Sequence, residues 1–91
     1  MELRLKGCVV DTDRRCVSRG SQTIRLTLRE AELLAYLGSM PNKSIPDHEL
    51  LEKVWGYHAS VVSRAVDQLV YRLRKKIEVS ASQPDHLVKV Y

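Results

Sequence analysis

The sequence predicts an α+β domain in which short antiparallel strands come first and helices follow. Residues 1–26 alternate apolar and polar side chains in short runs parted by turn residues. From Thr27 onward the apolar residues recur at helical spacing instead. The chain has 91 residues, enough for one modest hydrophobic core and no second domain.

In the strand third, Leu3 and Leu5 alternate with charged neighbours until Gly7 breaks the run before Cys8-Val9-Val10. Asp11-Thr12-Asp13 is a turn cluster, and Arg14-Arg15-Cys16-Val17-Ser18 follows it. Arg19-Gly20-Ser21-Gln22 turns the chain again before Thr23-Ile24-Arg25-Leu26. Four short strands in an antiparallel meander are therefore expected over residues 1–26. A capping box opens the first helix at Thr27-Leu28-Arg29-Glu30, where hydroxyl and carboxylate each accept from the other residue's backbone amide. Ala31, Leu34, Ala35 and Gly38 line its apolar face, Leu33 and Leu37 widen it, and Pro41-Asn42 ends it. A second, shorter helix is expected from about Pro46, tolerable in a first turn, to Trp55, with Gly56 as its stop.

The third helix has the clearest pattern. Val66, Val70, Leu73 and Ile77 recur at steps of four, three and four, within roughly 60° of one another around the axis. Arg64, Gln68, Tyr71, Arg72 and Lys75 lie on the far side. Residues 79–85 read as a loop, and His86-Leu87-Val88-Lys89-Val90-Tyr91 alternates as a last strand. One domain over 1–91 thus divides into a sheet (1–26), a three-helix core (27–78), and a loop with one strand (79–91).

Composition narrows the function classes. With 44% hydrophobic and 29% charged residues, the chain is neither a disordered tail nor a fibre. No apolar run approaches a membrane span, and the first residues lack the apolar stretch of a signal peptide. Cys8 and Cys16 are too few for a disulfide framework, which points to a reducing cytoplasm. With His48, His58 and His86 they form no CxxC or HxxxH spacing, so small cysteines buried on strands are expected rather than a metal site. Ser60 and Ser63 near His58 make no triad without a convergent pocket, and no Gly-rich phosphate loop is present. No enzyme activity, cofactor or small-molecule substrate is expected.

Fifteen Lys and Arg against eleven Asp and Glu give a net charge of +4. Residues 64–76 hold Arg64, Arg72, Arg74, Lys75 and Lys76 against Asp67 alone, so this stretch carries the whole excess. A helix apolar on one side and cationic on the other can be a solvated surface helix, lie on an anionic membrane, or enter a nucleic-acid groove. The membrane reading is weak, because Val66, Val70, Leu73 and Ile77 are needed to close so small a core. The exposed side favours a groove. Gln68, Tyr71 and Arg72 can hydrogen-bond to base edges, while Arg64, Arg74 and Lys75 can neutralise phosphates. A merely solvating face would interleave Glu with Lys.

Three blocks carry a family resemblance. Leu26-Thr27-x-x-Glu30-x-x-Leu33-Leu34, His48-Glu49-Leu50-Leu51-x-x-Val54-Trp55-Gly56 and Arg64-x-Val66-Asp67-x-x-Val70-x-Arg72-Leu73-Arg74-Lys75-Lys76 resemble the winged helix-turn-helix effector domain of OmpR/PhoB-type regulators. The resemblance spans residues 3–91. It implies a four-stranded N-terminal sheet, three helices and a C-terminal hairpin. It also implies sequence-specific binding of double-stranded DNA by a bacterial transcriptional regulator of the two-component kind.

In such domains the third helix, here about residues 62–78, lies in the major groove. Gln68, Tyr71 and Arg72 would then face bases, with Asp67 at or beside the base edges. Arg64 and Arg74 match phosphate-contacting arginines, and Trp55 matches a tryptophan that approaches the backbone. The segment Gly56–Ser63, with Tyr57, His58, Ser60 and Val61, resembles the loop through which such activators touch RNA polymerase. Head-to-tail pairing on direct repeats is implied as well. So is a cytoplasmic location, which includes the cytoplasmic part of a membrane-anchored regulator of the ToxR/CadC sort.

The departures from the family pattern make further expectations. Ala31 stands where the family has an aromatic residue. Pro46-Asp47 replaces a common serine-arginine pair, leaving Ser44 as the candidate cap of the second helix. Leu69 takes a position that is often polar and is expected in the core, and Ala65 replaces a threonine. The last strand stops at Tyr91, before the Gly-x-Gly-Tyr turn into the wing, so a truncated hairpin is expected. Some roles stay open. Trp55 is a core-rim residue, a backbone contact or both, and Arg74 meets a phosphate or an acid of the first helix. Asp67 orients Tyr71 or Arg74, or accepts from a cytosine amino group. For the whole domain, the alternative is a winged-helix protein-interaction module docked on an acidic partner.

Overall fold

The computed structural model of the chain describes residues 1–58, 63–80, 82 and 86–87. Its elements run β1 (Glu2–Arg4), β2 (Val9–Asp11), β3 (Cys16–Arg19), β4 (Gln22–Arg25), α1 (Leu28–Gly38), α2 (Asp47–Lys53) and α3 (Ala65–Ile77). The strands are antiparallel neighbours in the order β1-β2-β3-β4, as the alternation over residues 1–26 predicts. Leu3, Val10, Val17 and Ile24 stand in register as one row, and Val10 and Val17 are fully buried. The rows Glu2-Asp11-Cys16-Arg25 and Arg4-Val9-Ser18-Thr23 take the opposite face by the two-residue alternation of a strand. β3 and β4 meet across a two-residue turn, Gly20-Ser21, between the paired Arg19 and Gln22. Gly20 supplies the positive φ, 60°, that such tight hairpins demand.

α1 opens on the expected capping box. Thr27 Oγ1 accepts from the Glu30 N–H at 3.2 Å, and Glu30 Oε1 accepts from the Thr27 N–H at 2.8 Å. α2 is shorter than expected at both ends, and its N-cap is Pro46 with no side-chain cap hydrogen bond. Ser44 therefore does not cap it. Asp47 and Glu49 in the first turn favour that helix end electrostatically instead. Gly56 follows at φ 71°, the left-handed geometry that ends a helix cheaply only at glycine.

The core forms where the inward row of the sheet meets the three helices. Leu26, Ala31, Leu33 and Leu34 meet Leu50, Leu51 and Val54 of the α2 region. From α3 come Val66, Leu69, Leu73 and Ile77. Leu69 is in the core as expected, and Val70 is only partly buried at its edge. The apolar stripe is thus rotated slightly from the expected one, because two adjacent apolar residues compete for one inward position and Leu69 takes it. The cysteines also differ from expectation. Cys8 is buried but precedes β2, and its Sγ–H donates to the Ile77 carbonyl at 3.5 Å. Cys16 lies on β3 but is half-buried. The expected loop of the polymerase contact at Ser60 and Val61, and the expected last strand and truncated hairpin from Val88 onward, fall outside the described residues, while His86 and Leu87, the expected start of that strand, form a bend.

Candidate nucleic-acid interface

Packing Val66, Leu69, Leu73 and Ile77 inward turns the opposite side of α3 to solvent. On that side Arg64, Asp67, Gln68, Tyr71 and Arg72 line one shallow, open depression. Lys75 is exposed one turn beyond Tyr71, with its ammonium 4.3 Å from the centroid of the tyrosine ring. Four residues along a helix place these two side chains one above the other, and the cation is drawn to the ring face. The depression therefore combines guanidinium donors, an amide that donates and accepts, a phenol and one carboxylate. That mixture matches base edges and phosphates more closely than it matches any apolar ligand.

The basic stretch does not present all of its charge there. Lys76 Nζ donates to Glu30 Oε1 at 2.7 Å and to the Arg25 carbonyl at 3.0 Å. The Glu30 side chain is 2% exposed. Burial alone would raise its carboxyl, but the Lys76 ammonium and the Thr27 backbone N–H outweigh burial and hold it below the ordinary glutamate range. Arg74 Nε donates to the Leu87 carbonyl at 2.9 Å. Lys76, not Arg74, thus pairs with Glu30 of the first helix, and Glu32 of that helix lies 3.8 Å from Arg29. Two residues along a helix separate the side chains by about 200°, so only one of the pair can face α1.

Trp55 lies just beyond α2 at the rim of the core. The Arg29 guanidinium sits 5.7 Å from its ring centroid and also donates to the Val54 carbonyl. Of the loop residues assigned to polymerase, Tyr57 and His58 are both exposed. The Tyr57 N–H donates to the Leu51 carbonyl at 2.9 Å, which ties the start of the loop to α2.

Two residues that frame α3 carry no sequence signal of a role. Arg19 of β3 reaches across to the end of the helix, donating to the Lys75 carbonyl at 3.2 Å and the Glu78 carbonyl at 2.9 Å. Glu78, fully buried just past the helix, accepts from the backbone N–H of His86 at 2.9 Å and of Leu87 at 2.7 Å. Its Oε1 lies 2.6 Å from His86 Nδ1. His86 Nε2 accepts from the Lys6 N–H at 3.2 Å, so the neutral ring carries its proton on Nδ1 and donates it to Glu78. Burial works against the Glu78 charge, and these donors overcome it and keep the carboxyl below its ordinary range.

Among the described residues, no group of three or more His, Cys, Asp or Glu side chains could hold a metal ion. No described helix is long and apolar enough to cross a membrane.

The family model described as "Transcriptional regulatory protein, C terminal" matches residues 21–91. Transcriptional regulatory protein SrrA of Staphylococcus aureus is 36% identical over 87 residues, which covers 96% of this chain and 36% of SrrA. The chain thus spans about a third of the length of that relative. Among solved structures, the DNA binding domain of CpxR from E. coli superposes with a TM-score of 0.70 at 26% identity, covering 85% of this chain and 76% of that one. The RstA DNA-binding domain of Klebsiella pneumoniae, solved in complex with the RstA box, gives a TM-score of 0.79 at 24% identity, over 98% and 88% of the two chains. At that identity the second likeness speaks to the fold alone.

Proposed function

This chain belongs to the OmpR/PhoB-type family of transcriptional regulatory domains, which are DNA-binding domains and not enzymes, and on that premise we propose that it reads double-stranded DNA for a transcriptional regulator. One observation carries the reading. The uncovered side of α3 gathers Arg64, Asp67, Gln68, Tyr71 and Arg72 in a single open depression beside Lys75. α3 enters the major groove, which is wide enough for one helix. Gln68, Tyr71 and Arg72 meet base edges there, and Asp67 accepts from a cytosine amino group. Arg64 and Lys75 neutralise phosphates. Arg74 joins them through its terminal nitrogens, since its Nε is given to Leu87, and Trp55 approaches the backbone from the end of α2.

The reading extends to the rest of the regulator. Residues 56–63, with Tyr57, His58, Ser60 and Val61, contact RNA polymerase. Two copies bind head to tail on direct repeats, and the protein works in the cytoplasm. That the CpxR domain, 26% identical to this chain, is a DNA binding domain supports DNA as the partner.

Fluorescence anisotropy on random duplex DNA across a salt series tests the proposal. Affinity should fall steeply as salt rises, because phosphate contacts release condensed counterions. Lys75→Ala should reduce the logarithmic salt slope by about one unit. Absence of binding at low salt would overturn the DNA reading and leave the basic side of α3 to an acidic protein partner.

A further inference from the structure

We propose that Arg19 and Lys76 are positioning residues for DNA reading: they clamp the last turn of α3 so that its exposed side meets the bases at one fixed angle. The proposal rests on the DNA reading above and adds two residues that touch no base in it.

The clamp consists of four hydrogen bonds to three elements. Arg19 spans the Lys75 and Glu78 carbonyls from β3 at 3.2 and 2.9 Å. Lys76 Nζ bonds Glu30 of α1 at 2.7 Å and the Arg25 carbonyl at the end of β4 at 3.0 Å. Both cations sit at the negative end of the helix dipole, where positive charge is favoured. The opposite end is held differently. Arg64, the N-cap, makes no side-chain cap hydrogen bond. The Ala65 N–H donates to Ser63 Oγ at 3.0 Å, a bond local to the start of the helix. Core packing seats the helix, and the polar clamp holds its last turn against tilting on that seat.

Lys76 and Gln68 are eight residues apart, about 12 Å along a helix. A tilt of about 10° around the clamped turn therefore moves Gln68 by about 2 Å, more than a base-edge hydrogen bond tolerates. Long flexible cations follow a phosphate through such a shift. Losing the clamp should then erode discrimination between sites while leaving non-specific affinity in place.

The test uses a duplex selected from a random pool by the parent chain, with an unrelated duplex beside it, at a temperature well below every thermal midpoint. Arg19→Gln leaves no buried charge behind and is the primary variant. Its ratio of selected to random affinity should fall about tenfold, the order of one lost base contact. Affinity for random DNA and the salt slope should stay within about twofold and half a unit of the parent. Lys76→Met should act in the same direction, and Arg19→Lys should restore part of the ratio. Tyr36→Phe is the stability control, because it removes the hydrogen bond from Tyr36 to Glu49 between α1 and α2. It should lower the midpoint and keep the ratio. An unchanged ratio in Arg19→Gln overturns the clamp, as does a loss of random affinity with a lower slope, which would make Arg19 a phosphate contact. Equal loss of the ratio in Tyr36→Phe overturns it too. If the parent selects no site, the DNA reading itself falls, and the clamp falls with it.

Discussion

Lys75 and Lys76 are adjacent in sequence and opposite in circumstance. Lys75 projects from the uncovered side of α3 and lies over the ring of Tyr71. Lys76 turns inward to a carboxylate that is almost wholly buried. Arg72 belongs with Lys75 and lines the open depression, while Arg74 is shared between the two roles, its Nε bonded to Leu87. A run of positive charge on a helix is therefore two populations, sorted by about 100° of rotation per residue. One population is offered to a polyanion, and the other holds the helix that makes the offer. Net charge counts both alike.

The largest effect expected on this contrast comes from Lys76→Ala. Removing the partner of a buried carboxylate costs about 3–5 kcal/mol, which urea unfolding of the variant should read directly. Pairing that change with Glu30→Gln should recover much of the loss, because the uncompensated charge is then gone. Arg72→Ala comes next. If the guanidinium makes a bidentate base contact, binding to a selected site weakens by about 1–3 kcal/mol and preference at that position relaxes, with thermal stability near the parent.

Acid unfolding separates the populations in another way. Glu30 and Glu78 both titrate below the ordinary value of 4.5. The unfolded chain then binds protons more readily than the folded one, so stability rises with pH across this range. The contribution is in place above the ordinary value and is lost as pH falls through the lowered folded values. Glu78→Gln should flatten that acid limb in a pH series of unfolding midpoints. Lys75→Ala should leave the limb as it is.

The parts legible in the sequence were the local ones. The capping box needs only Thr27 and Glu30, three residues apart, and both of its hydrogen bonds are present. The strand row Leu3-Val10-Val17-Ile24 follows from alternation and turn residues. The uncovered side of α3 was legible too, because its apolar stripe fixes what faces outward. Finer choices were not. Leu69 and Val70 are neighbours of like polarity, and only the packed core decides that leucine goes inward. Arg74 and Lys76 are both long cations near the helix end, and only the position of α1 decides which meets Glu30. Arg19 was invisible for a different reason. Its partners are backbone carbonyls 56 and 59 residues away, and a carbonyl leaves no mark in a sequence.

The most direct measurement compares Lys75→Ala with Lys76→Ala in one experiment, reading the salt slope of DNA binding and the unfolding midpoint for each. The two should behave as mirror images. Lys75→Ala lowers the slope by about one unit with little change in midpoint, and Lys76→Ala lowers the midpoint with the slope unchanged. Two variants that lose slope alike, or that lose stability alike, would contradict the division of the basic helix into a presented half and a holding half.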